Sequence, residues 1–128
     1  MVKGVYEKML ADADAAVSSV DVETAAGLLD RDDHVMVDIR DIRELQRDGM
    51  VPGAFHAPRG MLEFWIDEAS PYHKPVFAED KTFVFYCASG WRSLLAAKTA
   101  QEMGLKVKSM RGGFGEWKKK SHPVATLD

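Results

Sequence analysis

The chain contains 128 residues, of which 46% are hydrophobic and 29% charged, which is enough apolar material for the core of one domain. Its formal net charge of −3 excludes a strong positive field, so we expect no nucleic-acid partner and no binding to an anionic membrane. A single cysteine excludes an internal disulfide and no apolar run approaches membrane-spanning length, so the sequence predicts a cytoplasmic protein without a membrane segment.

The first part of the chain predicts three short elements. Residues 5–17 have helical composition, and we interpret residues 1–17 as a helical extension that precedes a main domain over residues 18–128. A short edge strand is expected at 18–20. Asp21 is then a suitable N-cap for a helix that runs through Leu29 with its apolar residues on one face.

A buried strand is predicted at 35–39, and it ends in two opposite charges. Asp38 and Arg40 follow each other at its carboxyl end, before a helix expected over 41–48. We interpret them as a structural ion pair that holds this helix, because opposite charges in such positions commonly form structural networks. A short strand is predicted over 54–57, and its His56 is a general-base candidate by residue type, although packing is the more common role.

The segment 59–80 carries an unusual number of aromatic residues. Its first part predicts a loop that leads into a short helix, and further aromatic residues and two prolines follow that helix. Such a segment is either a lid beside a functional site or an insertion that packs its rings on the core, and the sequence favours neither. Arg59 and Trp65 are candidates for the rim of a pocket. No two histidines have the spacing of metal ligands, so we expect no metal site.

The most informative stretch surrounds Cys87. An apolar run at 82–86 predicts a buried strand, and residues 93–103 are rich in helix formers and end before Gly104. The first amides of a helix have no intrahelical partner, and its dipole places partial positive charge there. Gly90 permits a tight curl of the loop and Arg92 adds a full charge, so the thiolate of Cys87 should be favoured. The alternative is a buried, inert cysteine.

The rest of the chain completes an alternation of strands and helices. Residues 105–110 alternate like a half-exposed strand, and Gly112 and Gly113 turn the chain into a final helix that carries Trp117. This alternation predicts an α/β fold with a mostly parallel sheet and helices on both faces.

The segment Cys87-x-x-Gly90-x-Arg92-Ser93 resembles the active-site loop of single-domain members of the rhodanese family of sulfurtransferases. Three other segments resemble signatures of the same family in the same order: Val37–Arg40 with Glu44, Gly49–Ala54, and Gly112–Phe114 with Trp117. Together they cover roughly residues 18 to 124. One departure is Met50, which stands where the family usually has histidine.

The resemblance implies the rhodanese form of the α/β fold and a sulfurtransferase without a cofactor. It implies that Cys87 takes sulfur from a donor such as thiosulfate, forms a persulfide, and passes the sulfur to cyanide or a thiol. Asp38 would then support the loop, and Arg92 would orient the donor. The amides expected to bind the persulfide are those of Ala88, Ser89, Gly90, Trp91, Arg92 and Ser93.

Two other classes of protein stay open at this point. Phosphatases and arsenate reductases use a related loop with five residues between cysteine and arginine, whereas Cys87 and Arg92 are separated by four. The shorter loop predicts a smaller cradle that fits one sulfur atom. The second alternative is a rhodanese-like module that binds a partner without catalysis. The expected partners are small sulfur donors and acceptors. The sequence does not indicate whether the protein is a monomer or an oligomer.

Overall fold

A computed structural model describes residues 1–127 of the chain as alternating helices and strands. The helices are α1 (Val5–Ala16), α2 (Val22–Ala26), α3 (Ile42–Asp48), α4 (Leu62–Ile66), α5 (Trp91–Glu102) and α6 (Gly113–Lys119). The strands are β1 (Ser19–Val20), β2 (His34–Asp38), β3 (Phe55–His56), β4 (Thr82–Tyr86) and β5 (Val107–Met110). Two 3-10 turns lie at Arg59–Met61 and Pro75–Ala78.

The five strands form one sheet in the order β1-β5-β4-β2-β3, and each neighbouring pair is parallel. The predicted fold class is confirmed. Strand β4 lies in the middle of the sheet, and its last four residues are buried because both faces are covered. The carboxyl end of β4 therefore delivers Cys87 to the edge of the sheet where parallel α/β proteins place their sites.

The core has two layers, one on each face of the sheet. Because side chains alternate along a strand, Phe83 and Phe85 pack on one face, whereas Val84 and Tyr86 pack on the other. Helices α4 and α5 contribute to the first layer, and α2 and α6 to the second. Helix α1 packs against α5, where the Gln101 amide donates to the carbonyl of Ala16 at 2.8 Å. The division of the chain at residue 17 stays a prediction.

Some element boundaries differ from those predicted. The helix capped by Asp21 ends at Ala26 instead of Leu29. Strand β5 begins at Val107, two residues later than predicted; Val107 and Ser109 are buried and Lys108 is partly exposed, as the alternation predicts, whereas Met110 at its end is also buried. Met110 is covered because it packs in the second core layer with Phe114 and Trp117 of α6.

The aromatic residues of segment 59–80 divide between the core and the surface. Phe77 is buried, with its ring centroid 5.8 Å from that of Phe55 and 5.4 Å from that of Phe83. Phe64 and Tyr72 are exposed. Within residues 1–127, no helix is long and apolar enough to cross a membrane.

Candidate active site

Cys87 lies at the bottom of a loop that connects β4 to α5, and its side chain is fully buried. The backbone amides of Gly90 and Ser93 donate to Sγ, at N–S distances of 3.1 and 3.4 Å. The thiol also lies 3.6 Å from the Ser93 hydroxyl. Two amides that donate to one sulfur atom form the kind of nest that can hold negative charge, and the predicted preference for the thiolate stays a prediction.

The curl of the loop depends on Gly90, which precedes the first turn of α5. Its φ of 108° lies in the left-handed region, which side chains with a Cβ rarely adopt. This conformation directs the Gly90 amide back toward Sγ. Helix α5 extends for 12 residues from this point, so its dipole adds partial positive charge behind the sulfur.

The loop is also held from below by the first residues of α6. The amides of Phe114 and Gly115 donate to the carbonyls of Cys87 and Ala88, at 2.8 and 2.9 Å. A Cβ on Gly113 would lie only 2.6 Å from both carbonyl oxygens. The backbone of α6 can approach the loop this closely only at a glycine, a constraint that the sequence did not reveal.

A second contact that sequence analysis missed lies beneath the thiol. The Ser93 hydroxyl donates to the Gly90 carbonyl at 3.1 Å, and it lies 3.1 Å from the hydroxyl of Ser109 on β5. Both serines are buried. Ser109 therefore fixes the group that touches Sγ, although 22 residues separate it from Cys87 in the sequence.

The side chain of Arg92 turns toward α3 and meets Glu44. Its two terminal nitrogens each lie 2.9 Å from one carboxylate oxygen, so the pair is bidentate. Glu44 also accepts from the amide of Asp41, as part of the capping box of α3. The Arg92 guanidinium, helped by this amide, lowers the pKa of Glu44 from 4.5 to about 2 against the opposing effect of burial. Glu44 in turn raises the pKa of Arg92.

Asp38 and Arg40 form the predicted ion pair, and both are buried. Arg40 Nη2 lies 2.7 Å from Asp38 Oδ2 and donates to the Gly49 carbonyl at 2.8 Å, while the guanidinium lies 4.4 Å from the ring centroid of Phe114. Burial opposes the charge on Arg40, but the Asp38 carboxylate outweighs it, so the pKa of Arg40 is raised. The pair ties β2 to the segment after α3 and to α6, which supports the loop.

The other residues predicted to belong to the site differ in how they relate to the Cys87 loop. Arg59 pairs with Glu63 at 2.7 Å and lines one pocket with Arg92. Trp65 packs edge-on to Phe55 and does not line that pocket, so its place at the rim stays a prediction. Ser89 is exposed, and the ring of Trp91 lies outside the loop, 59% exposed.

His56 lies at the end of β3 and is engaged elsewhere. Its Nε2 is 2.7 Å from the carbonyl of Arg40, which places it among the supports of β2. Among residues 1–127, no group of three or more His, Cys, Asp and Glu side chains is arranged to hold a metal ion.

The structure combines a parallel α/β sheet with a buried cysteine, which backbone amides hold at the carboxyl end of the central strand. This combination defines one class of protein. Residues 21–120 match the rhodanese-like domain, and the chain belongs to that family. The candidate sulfurtransferase YtwF of Bacillus subtilis (strain 168) is 31% identical over 88 residues, which are 69% of this chain and 77% of YtwF.

Two further similarities bear on the activity. Thiosulfate sulfurtransferase YnjE of Escherichia coli (strain K12) is 29% identical over 133 aligned positions, which cover 84% of this chain but only 31% of YnjE. A solved structure with a TM-score of 0.92 and 52% identity covers 97% of this chain and 96% of its own. It is a protein of unknown function, RPA3614 of Rhodopseudomonas palustris CGA009, for which tyrosine phosphatase is named as a candidate activity.

Proposed function

We propose that this protein is a sulfurtransferase that carries sulfane sulfur as a persulfide on Cys87. The thiolate attacks the outer sulfur of thiosulfate, a new S–S bond forms, and sulfite leaves with the electron pair of the old one. A thiolate or cyanide then attacks the terminal sulfur and displaces the Cys87 thiolate. Each step exchanges one sulfur bond for another, so no oxidant or cofactor is needed.

The observation that carries this proposal is the pair of amides aimed at Sγ. A persulfide is anionic, and a buried anion requires donors to replace the water that it loses. The Gly90 and Ser93 amides are fixed by the loop before any substrate binds, so no reorganisation is needed when charge develops. We infer that the other loop amides complete this cradle around the terminal sulfur.

Arg92 has a different role from the one expected. We infer that it does not bind the donor through a free guanidinium fork, because Glu44 occupies both terminal nitrogens. It acts as a fixed positive charge, and the Cys87 thiolate is one of the charges that raise the pKa of Arg92, after Glu44. Asp38 and Arg40 are positioning residues, because their ion pair connects β2 to the elements that support the Cys87 loop.

The same ion pair argues against a phosphatase. A phosphatase loop needs its arginine free to bind two oxygens of the phosphoryl group, and here that geometry is used by a carboxylate. Four residues between Cys87 and Arg92 also leave a smaller cradle. RPA3614, with its candidate phosphatase activity, makes the comparison of the two reactions a necessary control.

The decisive measurement is the mass of the intact protein. After brief exposure to thiosulfate, the protein should gain one sulfur atom, and cyanide should remove it as thiocyanate. The Cys87→Ser variant should gain none. A wild-type protein that gains no sulfur would support the non-catalytic binding module, and one that hydrolyses aryl phosphates faster than it transfers sulfur would be a phosphatase.

We also place the protein in the cytoplasm, because its single free cysteine suits a reducing compartment. Cell fractionation checks this proposal, and recovery of the protein outside the cytoplasm would contradict it.

A further inference from the structure

A pocket of about 340 Å³ lies between α1 and α5, and Arg92 in the first turn of α5 is one of its lining residues. It is lined by Met9, Asp12, Arg59, Arg92, Leu95, Lys98 and Thr99. Residues 92, 95 and 99 lie on one face of α5, so the pocket runs along this helix from its first turn, and Arg92 is the lining residue whose charge also acts on Cys87. Two of the lining residues come from α1, which lies outside the matched family segment.

The wall of this pocket carries three positive charges and one negative charge. Each positive residue has a carboxylate partner that does not line the pocket. Arg92 pairs with Glu44, Arg59 with Glu63, and Lys98 with Glu102, at 2.9, 2.7 and 3.0 Å. The three cations therefore line the cavity and their carboxylate partners do not, whereas Asp12 on the wall pairs with Lys8 outside it at 2.8 Å. The residues that line the cavity carry a net positive charge.

Helix α1 is fixed at two points beside the pocket. Ala13 is fully buried against the domain, and the ring of Tyr6 lies 5.5 Å from that of Trp91, at the start of α5. Between these points, Met9 supplies an apolar side chain opposite Leu95 of α5. A ligand in this space would meet aliphatic groups along its body and cations around its polar end.

We propose that this pocket binds the carboxylate end of the thiol that accepts sulfur from Cys87. The inference rests on the proposed function and adds the substrate class: a small, unbranched thiol with a carboxylate. The carboxylate lies against Lys98 and Arg59, its methylene groups lie on Met9 and Leu95, and the thiol points toward the loop. Asp12 is the opposing charge, which disfavours acceptors with further negative groups.

The test compares two acceptors and two variants. Protein carrying the persulfide is mixed with 3-mercaptopropionate or with the neutral 2-mercaptoethanol, and the rate of sulfur transfer is measured. Lys98→Gln and Glu102→Gln both remove the same exposed ion pair, but only the first removes a charge from the pocket. We expect Lys98→Gln to slow transfer to 3-mercaptopropionate by about threefold, the size typical of an exposed charge pair. Transfer to 2-mercaptoethanol should not change.

Glu102→Gln should leave both rates unchanged or raise the rate with the carboxylate. Asp12→Asn should have the opposite sign from Lys98→Gln, because it removes the negative charge from the wall. Its rate with 3-mercaptopropionate should rise, and its rate with the cationic thiol cysteamine should fall. If Lys98→Gln and Glu102→Gln change the rates alike, or Lys98→Gln slows both thiols equally, the assignment of the pocket is wrong.

A second measurement separates this inference from the proposed function. Cys87 can be alkylated with iodoacetate, an anion, or with neutral iodoacetamide, and neither reaction requires sulfur transfer. The ratio of the iodoacetate rate to the iodoacetamide rate should fall in Lys98→Gln and rise in Asp12→Asn. If no persulfide forms but the ratio shifts in this way, sulfur transfer is wrong and the anion pocket stands. If the persulfide forms and the ratio does not move, the pocket inference fails alone.

Discussion

Arg92 and Glu44 lie 48 residues apart in the sequence and form a bidentate ion pair between the first turn of α5 and the first turn of α3. Glu44 simultaneously closes the capping box of its own helix. One carboxylate therefore satisfies the N-terminus of α3 and holds the arginine that follows the active-site loop. A substitution at Glu44 should therefore affect both the N-terminus of α3 and the position of Arg92.

The first prediction concerns the pH dependence of this pair. The pKa of Glu44 is lowered from 4.5 to about 2, so its stabilising effect is complete above pH 4.5 and is lost as the pH falls toward 2. Glu44→Gln should lower the free energy of unfolding at neutral pH by roughly 1 kcal/mol, a modest value because Arg92 is half exposed. Urea unfolding of both proteins between pH 7 and 2 measures the difference, which should shrink only below about 4.5. A difference that stays constant to pH 2 would contradict this role.

The second prediction concerns the contact between α6 and the loop. Gly113→Ala adds a Cβ at 2.6 Å from the carbonyls of Cys87 and Ala88, at a φ of 62°. Gly53→Ala is a matched control, because Gly53 also has a positive φ, 75°, but nothing lies within 4 Å of an added Cβ. The control should lose about 1 kcal/mol of stability from the backbone alone.

Gly113→Ala should lose clearly more stability than Gly53→Ala, since backbone atoms must also move. It should also slow persulfide formation, because the displaced carbonyls belong to the loop that holds Sγ. Thermal unfolding and the rate of sulfur uptake are the two measurements. Equal losses in the two variants would show that α6 does not shape the loop.

Much of this site was predictable because its signals are local in the sequence. The apolar run of β4 and the helix formers of α5 each specify their own element, and Cys87 lies at the junction. The amides of Gly90 and Ser93 at the thiol follow from that junction. The boundaries moved by a few residues where tertiary contacts replaced local preference.

What the sequence could not predict depends on contacts between distant segments. The direction of the Arg92 side chain is set by Glu44 on another helix, and the hydroxyl of Ser109 reaches Ser93 only because β5 lies beside β4. Met110 departs from the alternation of β5 because it packs with Phe114 and Trp117 of α6, a separate element. The sequence of α1 contains no motif that would indicate that this helix lines a pocket.

The third prediction concerns Ser109, a positioning residue for the group beneath the thiol. The Ser93 hydroxyl contacts the Cys87 thiol, the Gly90 carbonyl and the Ser109 hydroxyl, and Ser109→Ala removes the last of these, so the Ser93 hydroxyl should be less well fixed against Sγ. We expect a loss of roughly 1 kcal/mol in stability and a several-fold slower transfer of sulfur. Ser109→Thr restores the hydroxyl and should recover the transfer rate even if its extra methyl lowers stability. If Thr and Ala slow transfer equally, packing at this position and not the hydroxyl is responsible.

The last prediction concerns the buried pair of Asp38 and Arg40. Arg40→Met leaves the Asp38 carboxylate buried without its partner and removes the donor to the Gly49 carbonyl, so we expect a loss of about 3–5 kcal/mol in stability. The double variant Asp38→Asn with Arg40→Met should recover part of this loss, because no unpaired charge remains. Arg43→Met is the control: Arg43 is exposed and 3.6 Å from Asp41, and its loss should cost less than about 0.5 kcal/mol. Urea unfolding measures all three, and a double variant as unstable as Arg40→Met would mean that packing, and not the unpaired charge, sets the cost.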